Sequence, residues 1–349
     1  EALQLFFQVA FDPEAEAEGD LWSEFDRLKV SCPRASLTWR GGELTIVRVE
    51  GGGASDEVER VLERAADPEA EEPRKRELRV ERPGMEAYRA ALRRVIEAEA
   101  ADKVVIARRA AVVSDRPFTP SVVLESLADR YRSARLFALS PTAGGPVFLG
   151  ASPERLIRVA DGRAETMALA GTAERTAGEE AAFVSRRLMQ SAKDRDEHGY
   201  VTRMIAETLG GLGADVEVAE TPRPMILPNV VHLETPISAG LPDGVGVVDL
   251  VDALHPTPAV CGTPTEAARG MIRELEPFDR GLYAGAVGWT NLAGEGDVTV
   301  ALRCGLLRDR WAHLFAGGGI TADSDVDDEV AETESKFMPV LEALREAVA

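Results

Sequence analysis

Apolar and polar positions change period several times along the chain. Residues 1–50 mix short apolar runs with turns, and RGGELTIVRVEGGG (40–53) predicts a strand closed by glycines. Residues 56–66 read as a short helix. Residues 67–82, DPEAEEPRKRELRVER, are charged and proline-bearing. They read as an exposed connection, and as the boundary between an N-terminal portion (1–80) and a core (84–348). An amphipathic helix is expected over 84–101, then a strand at 103–113 (KVVIARRAAVV). A helix at 119–131 and strands near 134–140 and 146–159 follow. Residues 178–212 read as two consecutive helices, 214–219 and 231–238 as strands, 246–253 and 264–275 as helices. Three strand-like segments, 284–292, 297–308 and 311–320, lie close together, and a last helix runs from about 326 to 348. The short connections between those three favour antiparallel pairing. The order is not a clean βαβ alternation, which disfavours a doubly wound nucleotide fold.

Composition narrows the function classes. The 349 residues allow one large domain or two ordinary ones, and 45% hydrophobic residues suffice for a sizeable core. No apolar run approaches the ~18 residues of a membrane span. The first residues lack the basic start and small-residue cleavage site of a secretory signal. A net charge of -20 repels nucleic acid and anionic lipid, so neither is expected as a partner. An acidic substrate is compatible with that charge only through a local cation cluster or a metal. Cys32, Cys261 and Cys304 are widely spaced, which argues against a zinc site and a disulfide framework. Inert thiols in a reducing cytoplasm are the expectation. His198, His232, His255 and His313 show no HxH or HExxH spacing.

Two helices carry carboxylates in unusual places. In DRDEHGYVTRMIAETL (194–209) the apolar stripe is Val201, Met204, Ile205 and Leu209, and Asp194 and Glu197 point to that same side. Charged residues ordinarily take the opposite face, and an inward carboxylate has to be paired, neutralised or bound to a metal. The last helix has its stripe at Phe337, Val340, Leu341 and Leu344, with Glu329, Glu332 and Lys336 along its border. Oxygen ligands from two helices suit a hard cation such as Mg²⁺. On these residues alone, helix N-terminal acids favoured by the dipole, with ordinary surface charge, are the preferred account. AGGGI (316–320) reads as a tight turn or as backbone amides meeting an anion. Lys103 opens an apolar strand and can snorkel to solvent. Glu154 in GASPERL is compatible with a turn acid. Arg303, inside VTVALRCGLL, is flanked by apolar residues, where an arginine is usually paired or awaits an anion.

Taken together, these segments resemble the chorismate-utilising enzymes, which include isochorismate, salicylate, anthranilate and aminodeoxychorismate synthases. The resemblance runs in order through KVVIARR (103–109), FLGASPERL (148–156), ALAGTAER (168–175), KDRDEH (193–198) and HLETPISAG (232–240). It continues through LHPTPAVCG (254–262), FDRGLYAGAVGW (278–289), ALRC (301–304), AGGGI (316–320) and ETESK (332–336). It implies one α+β unit spanning the chain. An extensive, mainly antiparallel β-sheet core is sandwiched by outer helices, with the active site between the two halves and a variable N-terminal portion.

The resemblance also implies roles. Chorismate would be the substrate and Mg²⁺ the cofactor. Lys103 would act as general base toward water and Glu154 as general acid toward the leaving hydroxyl. A lysine base must be neutral when it acts, and a glutamate acid needs its proton held by desolvation. Glu197 and Glu332 would be the metal ligands, with Asp194 and Glu329 in support. Arg303 and Lys336, with the amides of Gly318 and Gly319, would hold the two carboxylates. Gly171 and Thr172 would line the ring pocket, and His255 would approach the ring hydroxyl. Three positions separate the branches. Ammonia-using relatives tend to have glutamine where this chain has Lys103, which favours water as nucleophile. Aminodeoxychorismate synthases resemble a KGT pattern whose lysine attacks the ring, and Ala170 cannot do so. Salicylate synthases tend to have threonine where Ala259 stands, so alanine favours stopping at isochorismate. Tyr283 and Leu302 depart from the phenylalanine and isoleucine of some isochorismate synthases; both positions lie close to the ring and bear on how products partition. The expected activity is therefore isochorismate formation, with a salicylate synthase or amine-adding relative as the alternative. Menaquinone and catecholate siderophore routes both begin from that product. No exposed heptad stripe or edge motif appears, which favours a monomer.

Overall fold

The computed structural model describes residues 3–14, 21–33, 35–40, 43–48, 77–98, 100–175, 179–226 and 230–346. The helix expected at 56–66 lies outside the described residues. The chain opens with β1 (Gln4–Val9) and β2 (Leu28–Ser31), then the hairpin of β3 (Ala35–Arg40) and β4 (Glu43–Arg48). β5 (Leu78–Glu81), α1 (Met85–Ile96) and β6 (Lys103–Ser114) follow, then α2 (Pro120–Arg130), β7 (Arg135–Leu139) and β8 (Val147–Ser152). Next come β9 (Arg155–Ala160), β10 (Arg163–Glu174), α3 (Ala181–Gln190) and α4 (Ala192–Gly211). β11 (Asp215–Val218), β12 (Arg223–Ile226) and β13 (Val230–Gly240) precede α5 (Val247–Leu254), β14 (Gly262–Thr263) and α6 (Thr265–Leu275). The chain finishes through β15 (Ala286–Asn291), β16 (Gly296–Val300), β17 (Cys304–Arg308), β18 (Trp311–Ile320) and α7 (Val326–Glu346).

Among the described residues the strands form two large antiparallel sheets. One runs β11-β13-β10-β9-β16-β15-β1-β2, with β12 on β13; the other runs β14-β6-β18-β17-β8-β7, with β5 on β6. This is the expected α+β arrangement. The N-terminal β1 lies inside the first sheet, paired with β15 from Gln4↔Asn291 to Val9↔Ala286.

Two segments expected as single strands each serve both sheets. Residues 146–159 divide into β8 and β9, and residues 297–308 into β16 and β17. β8 pairs with β17 in one sheet while β9 pairs with β16 in the other. Both breaks therefore fall at the seam between the sheets. The segments VFLGASPERLIRVA and VTVALRCGLL are apolar on both sides of the corner, so each reads as one strand although Pro153-Glu154 and Arg303 mark the breaks.

Helices cover the outer faces. Val201, Ile205 and Leu209 of α4 and Val247, Leu250 and Leu254 of α5 join Ile157, Val298 and Ile237 of the first sheet in the main core. A second core sets Val112, Leu149 and Leu314 of the other sheet against Val123 and Leu127 of α2 and the stripe of α7. Phe337, Val340, Leu341 and Leu344 of that stripe are all 2% exposed or less. Burying them contributes roughly 6–12 kcal/mol relative to leaving them in water. That anchors the C-terminal half of α7 and fixes where its N-terminal half points. No helix among the described residues is long and apolar enough to cross a membrane.

Candidate active site

The two seam breaks bring one carboxyl and one guanidinium to the same corner. Glu154 follows β8 and Arg303 precedes β17, so both project where the sheets diverge. The corner is stitched by short bonds. Val300 N and Thr299 Oγ1 donate to the Glu154 carbonyl at 3.1 and 2.5 Å, and Ser152 Oγ donates to the Val300 carbonyl at 2.6 Å. Arg303 takes a left-handed backbone, φ 48°, and Ala151 N donates to its carbonyl at 3.2 Å. A non-glycine residue at positive φ is held there by its surroundings. Burial pushes the Glu154 carboxyl up to about 7, against the pull of Lys103, Arg303 and Lys336. Burial likewise pushes Arg303 down from its ordinary value. Its guanidinium makes no hydrogen bond or ion pair among the described residues, which leaves its fork of donors available to a carboxylate.

β6 and β18 build the opposite wall. The AGGGI segment is not a turn: its glycines run inside β18, in register with β6 at Gly317↔Ala107, Gly318↔Ile106 and Gly319↔Val105. Val105 N donates instead to Cys261 O, and Ala107 N to Glu276 Oε1 at 2.7 Å, so both amides point away from β18. Peptide edges alternate along a ladder. Gly318 therefore spends its amide on β6, while Gly317 and Gly319 turn theirs to the open edge. Of the two amides expected to hold a carboxylate, only that of Gly319 is free to do so. A Cβ on Gly318 would sit 2.7 Å from Glu329 Oε2, so that carboxylate would have to shift. A Cβ on Gly319 would overlap the Cε of Lys103, so that glycine lets the lysine lie across the sheet.

α4 and α7 form the rim. Gly171 (φ 74°) marks a bulge in β10, where a Cβ would lie 3.2 Å from the Asp194 carbonyl. The first turn of α4 thus packs directly onto the bulge. His198, from the next turn, ties the two further, with Nδ1 3.1 Å from Ala170 O and Nε2 2.6 Å from Thr235 Oγ1. On α7, Lys336 Nζ lies 2.5 Å from Glu332 Oε1 and donates to Gly317 O at 2.7 Å. Burial pushes the Glu332 carboxyl up, but the charge and hydrogen bond of Lys336 outweigh it and hold the group below its usual range. Glu329 Oε1 accepts from Ser324 Oγ at 2.8 Å. Thr172 Oγ1 is 2.9 Å from His232 Nδ1. Burial, then the charges of Arg303 and Lys336, push that imidazole down to about 3, so it is neutral.

These elements enclose a cavity of about 290 Å³. Lys103, Glu154, Arg303 and Lys336 line it with Thr172, Ala259, Tyr283 and Leu302, and Asp194, Glu329 and Glu332 stand at its rim. It is suited to a small, rigid dianion: Arg303, Lys336 and an amide face an acid that keeps its proton near neutrality. A chain of net charge -20 thus contains the local cation cluster that an acidic substrate requires.

The family model described as "Chorismate binding enzyme" matches residues 1–345. The chain belongs to the chorismate-binding enzyme family. It is 34% identical over 361 residues to the isochorismate synthase MenF of Bacillus subtilis, covering 97% of this chain and 74% of that protein. It is 44% identical over 246 residues to the salicylate biosynthesis isochorismate synthase of Pseudomonas aeruginosa, covering 69% of this chain. That match spans half the length of the Pseudomonas protein. Among solved structures, the menaquinone-specific isochorismate synthase MenF of Escherichia coli superposes with a TM-score of 0.77 at 26% identity, covering 99% of this chain and 79% of that one. Anthranilate synthase component I of Streptococcus pneumoniae shares the fold, with a TM-score of 0.81 at 21% identity over 97% of this chain and 80% of that one.

Most residues singled out from the sequence converge on the cavity; Gly318 and His255 do not line it. His255 follows α5. Its ring is buried, and that burial pushes it down to about 4. The apolar stripe of α5 delivers it into the core, so it serves packing and not the ring hydroxyl. A depressed histidine is neutral when folded, so its contribution is present above pH 6.5 and is lost as pH falls toward 4. His255→Leu is expected to flatten the acid-side fall in stability by up to about 1.4 kcal/mol per pH unit, read from urea midpoints between pH 6.5 and 4.5. The side chain of Glu197 lies outside the described residues. The remaining carboxylates, Asp194, Glu329 and Glu332, are the oxygen donors that suit a hard divalent cation, and Gly318 leaves the space that Glu329 occupies. No three metal-binding side chains converge as a preformed cluster among the described residues.

Sequence reasoning missed the support beneath the cavity. Arg280 is 4% exposed and forms two bonds to Glu276, at 2.5 and 2.8 Å. It also donates to Val260 O at 2.9 Å and Val105 O at 2.7 Å, and stacks 4.1 Å from the Phe11 ring centroid. Val105 and Val260 are cavity walls, so this pair fixes one side of the site. The signal was a glutamate and an arginine at i, i+4 beside Leu275, Pro277 and Phe278. Arg280→Met leaves Glu276 buried without its partner and is expected to cost roughly 3–5 kcal/mol, measured by urea denaturation.

Proposed function

We propose that this chain is an isochorismate synthase, converting chorismate to isochorismate with Mg²⁺. The observation that carries the reading is Glu154: a buried carboxyl whose proton is held to about pH 7, facing the same cavity as Lys103 and Arg303. The reaction exchanges one hydroxyl for another. Lys103 takes a proton from water as its oxygen bonds to C2, the ring double bond shifts, and the C4–O bond breaks. Glu154 delivers its proton to that oxygen, so that hydroxide, a poor leaving group, departs as water. Arg303 binds one carboxylate through its fork, and the Gly319 amide with Lys336 receives the other. Thr172, held by His232, borders the ring. Glu329, Glu332 and Asp194 would hold Mg²⁺, which supplies charge neutralisation to the ring carboxylate when bound. Alanine at 259 and at 170 offers neither a hydroxyl nor an amine to the ring, which supports a reaction that stops at isochorismate. That product would feed menaquinone or siderophore biosynthesis.

The test is chorismate turnover with and without Mg²⁺, products separated by chromatography and pyruvate assayed in parallel. Isochorismate without pyruvate, abolished by chelation, is the expected result. Salicylate with pyruvate, or a product that requires ammonia, would replace the reading with another branch of the family. No turnover in the presence of Mg²⁺ would overturn it.

A further inference from the structure

A second cavity, of about 230 Å³, lies on the other side of β6 and shares no lining residue with the first. It occupies a gap in the sheet edge. β14 pairs with β6 only at Lys103 and Val104, and β5 only from Ala111 to Ser114. Between them the edge of β6 has no strand neighbour among the described residues. The Val105 and Ala107 amides are taken by Cys261 O and Glu276 Oε1. Ladder alternation places the Arg109 amide next along that same edge, facing the gap.

Two arginines line this gap. Arg108 is 4% exposed; its Nε donates to Thr333 Oγ1 at 2.8 Å and its Nη2 to Glu334 Oε2 at 2.9 Å. Its Nη1 is buried with no hydrogen-bond partner among the described residues. Leaving such a donor dry is costly unless something accepts from it. Arg109 is partly buried, and makes no hydrogen bond or ion pair among the described residues. Burial pushes it down from its ordinary value, as expected of a cation lacking its counter-charge. Arg82 shares Glu334 with Arg108, so these two guanidinium groups divide one carboxylate. The remaining walls are apolar: Pro83, Ile106, Leu275, Pro277 and Phe278.

We propose that this gap is a second ligand site, which takes a small organic carboxylate with an apolar body. The carboxylate meets the Arg109 guanidinium and the Arg109 amide, and the apolar body lies against Pro277 and Phe278. Inorganic anions match the charge but not these walls.

The probe is 4-fluorobenzoate, followed by ¹⁹F NMR on the full chain, with 4-fluorobenzamide as the neutral control. Saturable binding is expected for the acid and not for the amide. It should survive Arg303→Ala, which removes the carboxylate hand of the first cavity, and weaken about tenfold or more in Arg109→Gln. Phe278→Ala removes an apolar wall without touching the charges, is also expected to weaken the probe, and keeps the test valid should the Arg109 variant not fold. Absence of binding, equal binding of the amide, or affinity unchanged in the gap variants and lost in Arg303→Ala would overturn the proposal.

Discussion

Glu154→Gln is expected to abolish most turnover and yet stabilise the protein above neutral pH. Glutamine keeps the shape and the hydrogen-bonded corner but has no proton to give, so turnover should fall roughly 10²–10⁴-fold, the usual worth of a general acid. The stability effect follows from the raised proton affinity of the group. Below pH 4.5 the carboxyl is protonated in both folded and unfolded chains, and its burial incurs no ionisation penalty. As pH rises from 4.5 to about 7 the unfolded chain ionises first, and stability is lost across that window. At about 1.4 kcal/mol per unit, the loss reaches a few kcal/mol by pH 8. The neutral variant escapes it. Urea midpoints for wild type and variant at pH 4.5 and pH 8 give the comparison, and the difference between the two proteins isolates this carboxyl from the histidines, which titrate in the opposite sense. In wild type, turnover should also decline as pH rises through about 7. A variant that turned over normally, or one with the same pH dependence of stability as wild type, would remove Glu154 from the acid role.

Much of this site was legible in the sequence because its residues violate ordinary patterning. A carboxylate on the apolar side of α4, an acid and a cation bordering the stripe of α7, and an arginine amid apolar neighbours each stand out against helix or strand periodicity. The helices were readable for the same reason: their stripes are long enough to fix a period. Harder to read were the places where tertiary structure overrides a local run. β10 carries RAETMALAGTAE, poor in β-branched residues, and was not expected as a strand at all. It forms because β13 supplies eleven residues of pairing partner across the bulge at Gly171. The splitting of 146–159 and 297–308 is likewise a property of two sheets meeting, which no single segment encodes. That seam is what turns Glu154 and Arg303 from strand residues into facing groups. His255 misled because a histidine after an apolar helix reads the same whether the chain carries it into a cavity or into the core. Arg280 and Glu276 passed unnoticed because their partners are backbone carbonyls and an amide from distant segments.

Lys103→Ala and Gly319→Ala are expected to fail together, and for one reason. If Lys103 removes the proton from the attacking water, Lys103→Ala should lower turnover roughly 10²–10⁴-fold with a much smaller change in KM, because Arg303 and Lys336 still hold the carboxylates. Gly319 does no chemistry through a side chain, and its place in β18 tolerates an alanine backbone. Its methyl group would nevertheless occupy the space of the Lys103 Cε, so the lysine must leave the line it takes across the sheet. A base displaced by about an ångström loses much of its advantage. Gly319→Ala should therefore reduce turnover by a comparable order in the wild-type background and add nothing once Lys103 is alanine, since the short side chain leaves room for the methyl. The double-mutant cycle would then show a coupling energy close to the whole effect of Gly319→Ala. Additive losses would mean that the new methyl group obstructs the substrate itself and that the close approach to Lys103 is incidental. A fully active Gly319→Ala would mean that the lysine can step aside without leaving its task.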